Sequence, residues 1–247
     1  MLSRYVKDGL ILHLDAINNT GEGHDSSITY WKDLANKARK LEVNGNTSGE
    51  SIWSEKAFLG HGVEHFSISL PELYSNGTGT VETLISRIES GSTVIGKFQG
   101  NQPGGGGYGA NITIKNESVN NTNNVGFMIR YSYDGTDQNY DMSDVSGYQG
   151  TIYNWNNRNN YNISAIVDYD DSLNNTMQTL VTNAKKQNTK TYNDRKIVYS
   201  SVRKFIIGSA SYTIKGKIYH VRVYNRALTE QEAIHNQYID IYRYGIK

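Results

Sequence analysis

The sequence has no cysteine, only two prolines and no long apolar run. Without cysteine the chain can form neither disulfides nor thiolate metal sites, so its stability must come from the core alone. No stretch approaches the ~20 apolar residues of a membrane span. Residues 1–15 also lack an apolar segment of signal-peptide length. The composition therefore predicts neither membrane insertion nor a signal peptide.

A large net charge is also absent. Lys and Arg total 25 and Asp and Glu total 24, which leaves a formal net charge of +1. A nearly neutral chain has no general electrostatic field that would attract nucleic acid or an anionic membrane. We therefore expect no nucleic-acid partner.

Strand-forming and turn-forming residues make up much of what is present. The 24 glycines and 19 tyrosines stand among many Asn, Thr and Ser residues, a mixture typical of short strands joined by polar turns. At 247 residues the chain is long enough to bury a substantial core. We expect one all-β domain over residues 1–247.

The clearest local pattern lies near the C-terminus. A β-type run over residues 218–224 contains Val221 and Val223 on one face, whereas Ile218 is out of step with them. This predicts a β-bulge near Tyr219 or burial on both faces of the strand.

Two other features frame this run. Residues 205–207 form a short β-type run that ends at Gly208, so the two runs are predicted to be a pair of strands. Thr229 and Glu232 have the spacing of a capping box. That spacing predicts one short helix at the end of the chain.

A family resemblance rests on these residues. The segment GKIYHVRVYNRALTEQE, residues 216–232, resembles the closing signature of the laminin-G-like, concanavalin A-type jelly rolls. In that family a hydrophobic strand ends in an aromatic-Asn-Arg turn before a small helix. Residues 9–15 and the WKDL turn at residues 31–34 resemble the family's opening strand and the turn after it. The resemblance implies a two-sheet antiparallel jelly-roll sandwich with a short C-terminal helix.

Further strands fit this architecture. Residues 81–88 and 94–98 are predicted to form an antiparallel pair with a turn between them. Residues 163–168 and 176–182 resemble the family's central hairpin. Residues 184–195 are polar and basic, and we expect solvated surface there.

The opening strand alternates regularly. Leu10, Leu12 and Leu14 alternate with residues that include His13 and Asp15, a pattern typical of a half-buried strand. The three leucines are expected on one face. His13 is therefore expected at the surface or rim of the sheet.

The segment YNWNNRNNY, residues 153–161, contains the most specific candidate for ligand binding. Sugar-binding surfaces combine a flat aromatic face, which packs on the apolar face of a pyranose, with amide and guanidinium groups that bind its hydroxyls. Tyr153, Trp155 and Arg158 supply these groups together with the neighbouring Asn residues. The alternative interpretation is that Trp155 fills the core beneath an Asn-rich turn.

A second aromatic candidate lies in an earlier strand. In residues 126–133, Phe127, Ile129, Tyr131 and Tyr133 alternate with other side chains and give the strand one aromatic-rich face. Tyr131 and Tyr133 therefore join the candidate ligand-binding residues.

An acidic loop follows this strand. Asp134, Asp137 and Asp141 lie within YDGTDQNYDMSD, and calcium needs several oxygen ligands at fixed positions. Some laminin-G-like domains use loop carboxylates for calcium, so the resemblance implies a candidate calcium site here. The alternative is a solvated acidic loop, because the ligand order of an EF-hand is missing. Calcium is the only cofactor that the sequence suggests.

Sequence motifs for catalysis are missing. The related glucanases have a glutamate-x-aspartate-x-glutamate strand that places two carboxylates at the separation needed for retaining hydrolysis. No such triplet occurs in this sequence. Gly-x-Ser-x-Gly is also absent, and without cysteine there is no thiol nucleophile. We therefore expect a non-catalytic branch of the superfamily and no enzyme activity.

Two classes of function follow. The first is a lectin-like module that binds a glycan or glycoprotein on a cell surface. The second is a structural decoration or assembly protein, whose Tyr and Asn residues contact other particle proteins or further copies in a homo-oligomer. A glycoside hydrolase or another glycan-active enzyme is the remaining alternative.

The expected setting is an extracellular or virion surface. Domains that resemble this family usually work outside the cell, whereas this sequence predicts neither a leader nor an anchor. Release by cell lysis reconciles these features, as in a phage or phage-tail-like particle. Our hypothesis is a virion surface protein that contacts host carbohydrate.

Overall fold

A computed structural model describes residues 4–45, 51–62, 64–86, 92–99, 109–117, 122–130, 153–155, 160–193, 204–208 and 215–246. These residues form β-strands, one 3₁₀ turn (Ala16–Asn18) and one α-helix, α1 (Glu230–Tyr244). Within these ranges no helix is both long enough and apolar enough to cross a membrane.

The larger sheet has eight strands, numbered in chain order. From one edge to the other its order is β14 (Lys185–Asn193), β13 (Asn175–Thr182), β12 (Asn160–Asp170), β7 (Gly79–Ser86), β16 (Lys215–Tyr224), β5 (Ala57–His61) and β4 (Trp53–Ser54). The eighth strand, β1 (Leu10–Asp15), pairs with β16 beside β5. All of its pairings are antiparallel.

The second sheet has six strands. Its order is β11 (Tyr153–Trp155), β10 (Thr122–Arg130), β9 (Gly109–Glu117), β8 (Ser92–Gln99), β15 (Lys204–Ile207) and β6 (Phe66–Ser69). A two-stranded ribbon of β2 (Tyr30–Lys32) and β3 (Lys40–Glu42) completes the fold. The predicted two-sheet antiparallel sandwich with a C-terminal helix is confirmed.

The main core lies between the two sheets. Side chains of the larger sheet, such as Val221, belong to one buried cluster with Ile95 and Phe205 of the smaller sheet. Trp31 is fully buried and stacks on Phe58 with 6.0 Å between ring centroids. This burial removes apolar surface from water and is the main favourable contribution to folding.

The predicted bulge in β16 is present. Its register with β7 shifts between Ile218 and His220. The extra residue returns Ile218 to the face of Val221, and both are buried in the main core. His220 and Arg222 are thereby placed on the opposite, outer face of the larger sheet.

Helix α1 begins at the predicted capping box. The Thr229 side chain accepts from the Glu232 backbone N–H, and the Glu232 side chain accepts from the Thr229 backbone. Gly245 ends the helix in a left-handed conformation, where glycine carries no steric penalty. The expected short closing helix is thus confirmed.

Two of the predicted strand pairs are wrong. Strands β7 and β8 follow each other in the chain but lie in different sheets, and so do β15 and β16. The predicted hairpin of β12 and β13 is confirmed. Periodicity identified each strand, but it carries no information on whether consecutive strands pair or cross to the other sheet.

The basic segment expected to be solvated surface forms the edge strand β14, in which Lys185 and Lys186 are exposed. Its lysines suit that position, because charged side chains on an edge strand discourage pairing with other chains.

The prediction that the three leucines of β1 share one face is wrong. The register shifts between Leu10 and Leu12, so Leu10 packs on a second cluster with Tyr224 while Leu12 stays in the main core.

Candidate functional site

The outer face of the larger sheet is polar and buried. Helix α1 and the segment 4–9 lie over β7, β12 and β16 and form hydrogen bonds with them and with each other. Side chains on the face opposite the main core are therefore also removed from solvent. We call these buried groups, with Tyr5, the polar layer: Tyr5, Glu82, Asn162, Ser164, His220, Arg222, Asn236, Gln237 and Asp240. All except Tyr5 are at most 1 % exposed.

Arg222 is the central cation of the polar layer. Its Nε donates to Glu82 Oε2 at 2.8 Å, and its two Nη atoms donate to the two oxygens of Asp240 at 2.7 and 2.6 Å. Such a bidentate, charge-assisted pair is among the stronger hydrogen-bonded arrangements in proteins. Burial alone would raise the pKa of Asp240, but the Arg222 guanidinium outweighs it and holds that pKa well below its usual range.

Segment 4–9 covers this cation from the solvent side. The Tyr5 ring lies over the Arg222 guanidinium, with 4.2 Å between the guanidinium carbon and the ring centroid. The Val6 backbone donates to Asn236 Oδ1 and accepts from the Tyr224 hydroxyl. Burial raises the pKa of Tyr5 well above its ordinary value. The N-terminal segment is therefore fastened to both the sheet and the helix.

Amide side chains connect the helix to the sheet. Asn236 donates to Glu82 Oε2 at 2.9 Å, and Gln237 donates to Ser164 Oγ at 2.8 Å. Asn162 of β12 donates to Asp240 Oδ2 at 2.9 Å. Burying these groups without partners would cost free energy, so their pairing fixes the position of the helix on the sheet.

Two histidines border Arg222. The His220 Nε2 atom lies 3.0 Å from Asp240 Oδ2, and its ring stacks on Tyr244. His13 lies opposite Arg222 in the strand register and contacts the edge of Tyr5. Burial and the nearby Arg222 charge lower the pKa of both histidines. His13 lies on the outer face of the sheet, as its alternation predicts, and it is half-buried beneath Tyr5 of segment 4–9.

The polar layer is closed to solvent. Glu82, His220, Arg222 and Asp240 have no exposed surface, so a dissolved substrate reaches none of them in this structure. Among the described residues, no group of three or more His, Asp or Glu side chains is placed to hold a metal ion. The hydrogen bonds and ion pairs of the polar layer hold the helix on the sheet.

The predicted ligand-binding residues lie in or near the smaller sheet. Tyr153 and Trp155 are the ends of β11, the last strand at one edge, where Tyr153 pairs with Val125 and Trp155 with Asn123. Arg158, Tyr131 and Tyr133 lie outside the described residues. So do the three acidic residues of the candidate calcium site: Asp134, Asp137 and Asp141.

The strand register links β11 to the rest of the smaller sheet. Val125 of β10 pairs with Tyr153 and with Ile114 of β9, and Ile112 of β9 pairs with Ile95 of β8. Ile95 belongs to the main core. Sugar binding and core filling by Trp155 both stay predictions.

The sequence interpretation missed an exposed aromatic pair on α1. Tyr238 is 61 % exposed and Tyr242 is 69 % exposed. Residues four apart on a helix are neighbours on its surface. The four-residue spacing of tyrosines was visible in the sequence, but a helical period alone does not tell which face is inward.

Neither a family model nor a curated protein sequence matches the chain. Solved structures do share its fold. Domain 4 of AbnA, an extracellular arabinanase of Geobacillus stearothermophilus solved with arabinotriose, aligns over 92 % of this chain and 98 % of that domain, with a TM-score of 0.51 and 14 % identity.

Two other similar structures belong to larger proteins. The binding domain of botulinum neurotoxin serotype D aligns over 95 % of this chain and 52 % of that chain, with a TM-score of 0.57 and 12 % identity. A Trypanosoma rangeli sialidase mutant with trans-sialidase activity aligns over 96 % and 34 %, with a TM-score of 0.55 and 13 % identity. At these identities the likeness concerns the fold, which is a β-sandwich found in carbohydrate-binding domains.

Proposed function

We propose that the protein is a lectin-like module that binds a glycan or glycoprotein on a cell surface. The observation that carries the proposal is the correspondence with an arabinanase domain that was solved with arabinotriose, over nearly the full length of both. Fold similarity does not select a sugar, since one fold hosts many activities. The ligand class is therefore proposed and the particular glycan is left to experiment.

The module is proposed to be non-enzymatic. Glycoside hydrolases place two carboxyl groups on either side of the scissile bond. In the larger sheet and its helix, the carboxylates Glu82 and Asp240 are instead fully buried and bonded to Arg222. Because both carboxylates are buried and paired, they are not available for hydrolysis at that position.

The proposed glycan surface is the aromatic and amide stretch that begins in β11. Tyr153, Trp155 and Arg158 would supply stacking and hydrogen bonds, and Tyr131 and Tyr133 would extend the aromatic surface. Strand β11 ends the smaller sheet, so Tyr153 and Trp155 belong to a strand at a sheet edge. The acidic loop, with Asp134, Asp137 and Asp141, is proposed as a calcium site that supports the same surface.

A glycan array probed with the purified protein tests this proposal. The array is read with calcium and with chelator, for the parent protein, for Trp155→Ala and for Trp155→Phe, which keeps an aromatic ring. We expect binding by the parent, retention by the phenylalanine variant, and loss by Trp155→Ala without unfolding. Calcium dependence would support the acidic loop as a metal site.

Two other results would contradict parts of this proposal. Unfolding of Trp155→Ala, seen by circular dichroism, would assign Trp155 to the core and remove it from the binding surface. An array without signal, together with a defined oligomer by solution mass measurement, would contradict glycan binding and favour an assembly role.

We propose in addition that the module is exposed on a phage or phage-tail-like particle. The extracellular setting of the arabinanase whose domain shares the fold supports a surface role. Mass spectrometry of purified particles is expected to detect the protein. Its detection only with a membrane-anchoring partner, and never in particles, would contradict this setting.

A further inference from the structure

Helix α1 turns three polar side chains toward the sheet, beside the buried Ala233 and Tyr244, and two tyrosines toward solvent. Asn236, Gln237 and Asp240 are fully buried in the polar layer, while Tyr238 and Tyr242 project outward with most of their surface exposed. A surface helix usually has the reverse arrangement, with apolar residues inward. The two tyrosines thus form an aromatic strip one helical turn long.

Folding does not account for this strip. At exposed helix positions Tyr has a lower helix propensity than Ala, Lys or Glu, and an exposed ring buries little apolar surface. Tyr244, two residues after Tyr242, differs because it is buried and donates to Asp15 and to the Tyr219 carbonyl. The exposed pair therefore contributes little to stability and is available for contact with another molecule.

The charges of helix α1 favour an uncharged binding partner for the aromatic strip. All four charged residues of α1 are in ion pairs: Glu230 with Lys186, Glu232 with Arg226, Asp240 with Arg222, and Arg243 with Asp15. A paired charge attracts a distant charged group much less than a free charge does. The strip therefore has no free helix charge beside it to select an acidic or basic partner.

The size of the helix face favours a small ligand. A 15-residue helix is about 22 Å long and its face about 10 Å wide, or roughly 220 Å². A stable protein interface buries about 800 Å² on each partner. The strip is thus too small to hold a second copy of this chain by itself, but it has room for a short oligosaccharide.

We propose that Tyr238 and Tyr242 form a platform for a neutral oligosaccharide. The rings would pack against the apolar faces of successive sugars, and the phenolic hydroxyls would hydrogen-bond their edges. Gln231, exposed about two turns earlier, offers an amide on the same side of the helix. This inference rests on the proposed glycan-binding function and adds a second site, on the larger sheet, to the one at β11.

The test compares the parent with a Tyr238→Ala/Tyr242→Ala double variant on an array of neutral and sialylated oligosaccharides, including arabinotriose. We expect the double variant to bind the neutral sugars about tenfold more weakly, because each stacking contact contributes about 0.5–1.5 kcal/mol. Its thermal unfolding should match the parent. The Tyr238→Phe/Tyr242→Phe variant should keep most of the binding.

Tyr169→Ala is the matched control. Tyr169 is a partly exposed tyrosine near the β12–β13 turn. It lies at the opposite end of β12 from Asn162, which donates to Asp240 of the helix. The Tyr169→Ala variant should bind as the parent does. Unchanged binding by the double alanine variant would overturn the platform while glycan binding at β11 stands. Preference for sialylated sugars would overturn the neutral ligand class, and no binding by the parent would overturn both proposals.

Discussion

Arg222 is the residue on which the polar layer depends. It is fully buried and compensates two buried carboxylates, Glu82 and Asp240. Replacing a whole buried ion pair with apolar groups is often harmless, but removing one partner leaves the other charge buried and unpaired. The cost of losing Arg222 therefore exceeds what the interaction itself contributes.

We expect Arg222→Met to lower the free energy of unfolding by about 3–5 kcal/mol. Methionine occupies comparable space, so the loss reports mainly on the uncompensated charges. Urea-induced unfolding measures it, and Lys40→Met is the control because the Lys40–Glu42 pair is exposed and such pairs contribute about 0–1 kcal/mol. A loss no larger than that of the control would contradict the role of Arg222.

At the residue scale, the sequence was informative where burial follows local alternation. Period two alone predicts that Val221 and Val223 share one face, and the structure confirms it by burying both in the main core. His13 follows the same alternation but is covered by Tyr5. That cover depends on contacts such as Val6 to Asn236, which are 230 residues apart, and no local pattern encodes them.

Helix α1 is the element that closes the polar layer, and its first turn positions it. The Arg226 guanidinium and the Thr229 backbone bond the Glu232 carboxylate and lower its pKa to about 2. The same glutamate completes the capping box. One carboxylate therefore joins the end of β16 to the start of the helix.

We expect Thr229→Ala to destabilise the protein by about 1 kcal/mol, because the Glu232 backbone N–H loses its acceptor. Thermal unfolding should show a lower Tm. Thr229→Ser, which keeps the hydroxyl, is the matched control and should stay close to the parent. Equal Tm values for the alanine and serine variants would show that the cap does not contribute.

At the element scale, strand existence was easier to predict than strand pairing. The run that became β8 was recognised, but its partners are β9 and β15 and not β7. Strand β14 was missed because KKQNTKTYN is polar on both faces, so it has no apolar alternation. Its place is set by pairing with β13.

The N-terminal segment 4–9 and the C-terminal helix α1 contact each other over the larger sheet. Segment 4–9, β1, β16 and α1 meet around Arg222, and the hydrogen bonds there join residues far apart in sequence. Such contacts form only when the sandwich is complete. Stability and its pH dependence are therefore properties of the complete fold.

We expect the free energy of unfolding to decrease as pH falls below about 6.5. The folded state lowers the pKa of His13 and His220, whereas in the unfolded chain each imidazole titrates near its ordinary value of about 6.5. Below that pH the unfolded state binds more protons and gains stability, at up to about 1.4 kcal/mol per pH unit for each histidine. Urea unfolding at several pH values between 5 and 7.5 measures the slope.

The His13→Asn/His220→Gln variant separates this effect from acid titration of carboxylates. Asp240 and Glu232 have lowered pKa values, so their contribution is present above about pH 4 and is lost only as pH falls further. The variant should have a flatter slope between pH 5 and 6.5, whatever its absolute stability. A slope equal to that of the parent would contradict the role of the histidines.

The sequence by itself determined the strands with clear alternation, the bulge in β16 and the capped helix, because these depend on neighbours a few residues apart. Tertiary structure decided which strands pair, that the outer positions of β7, β12 and β16 are buried, and that α1 turns Tyr238 and Tyr242 to solvent. The physical reason is that periodicity defines two faces of an element but not what covers each one. That cover comes from segments beyond the reach of a local pattern, such as Asn236, which lies 154 residues from its partner Glu82.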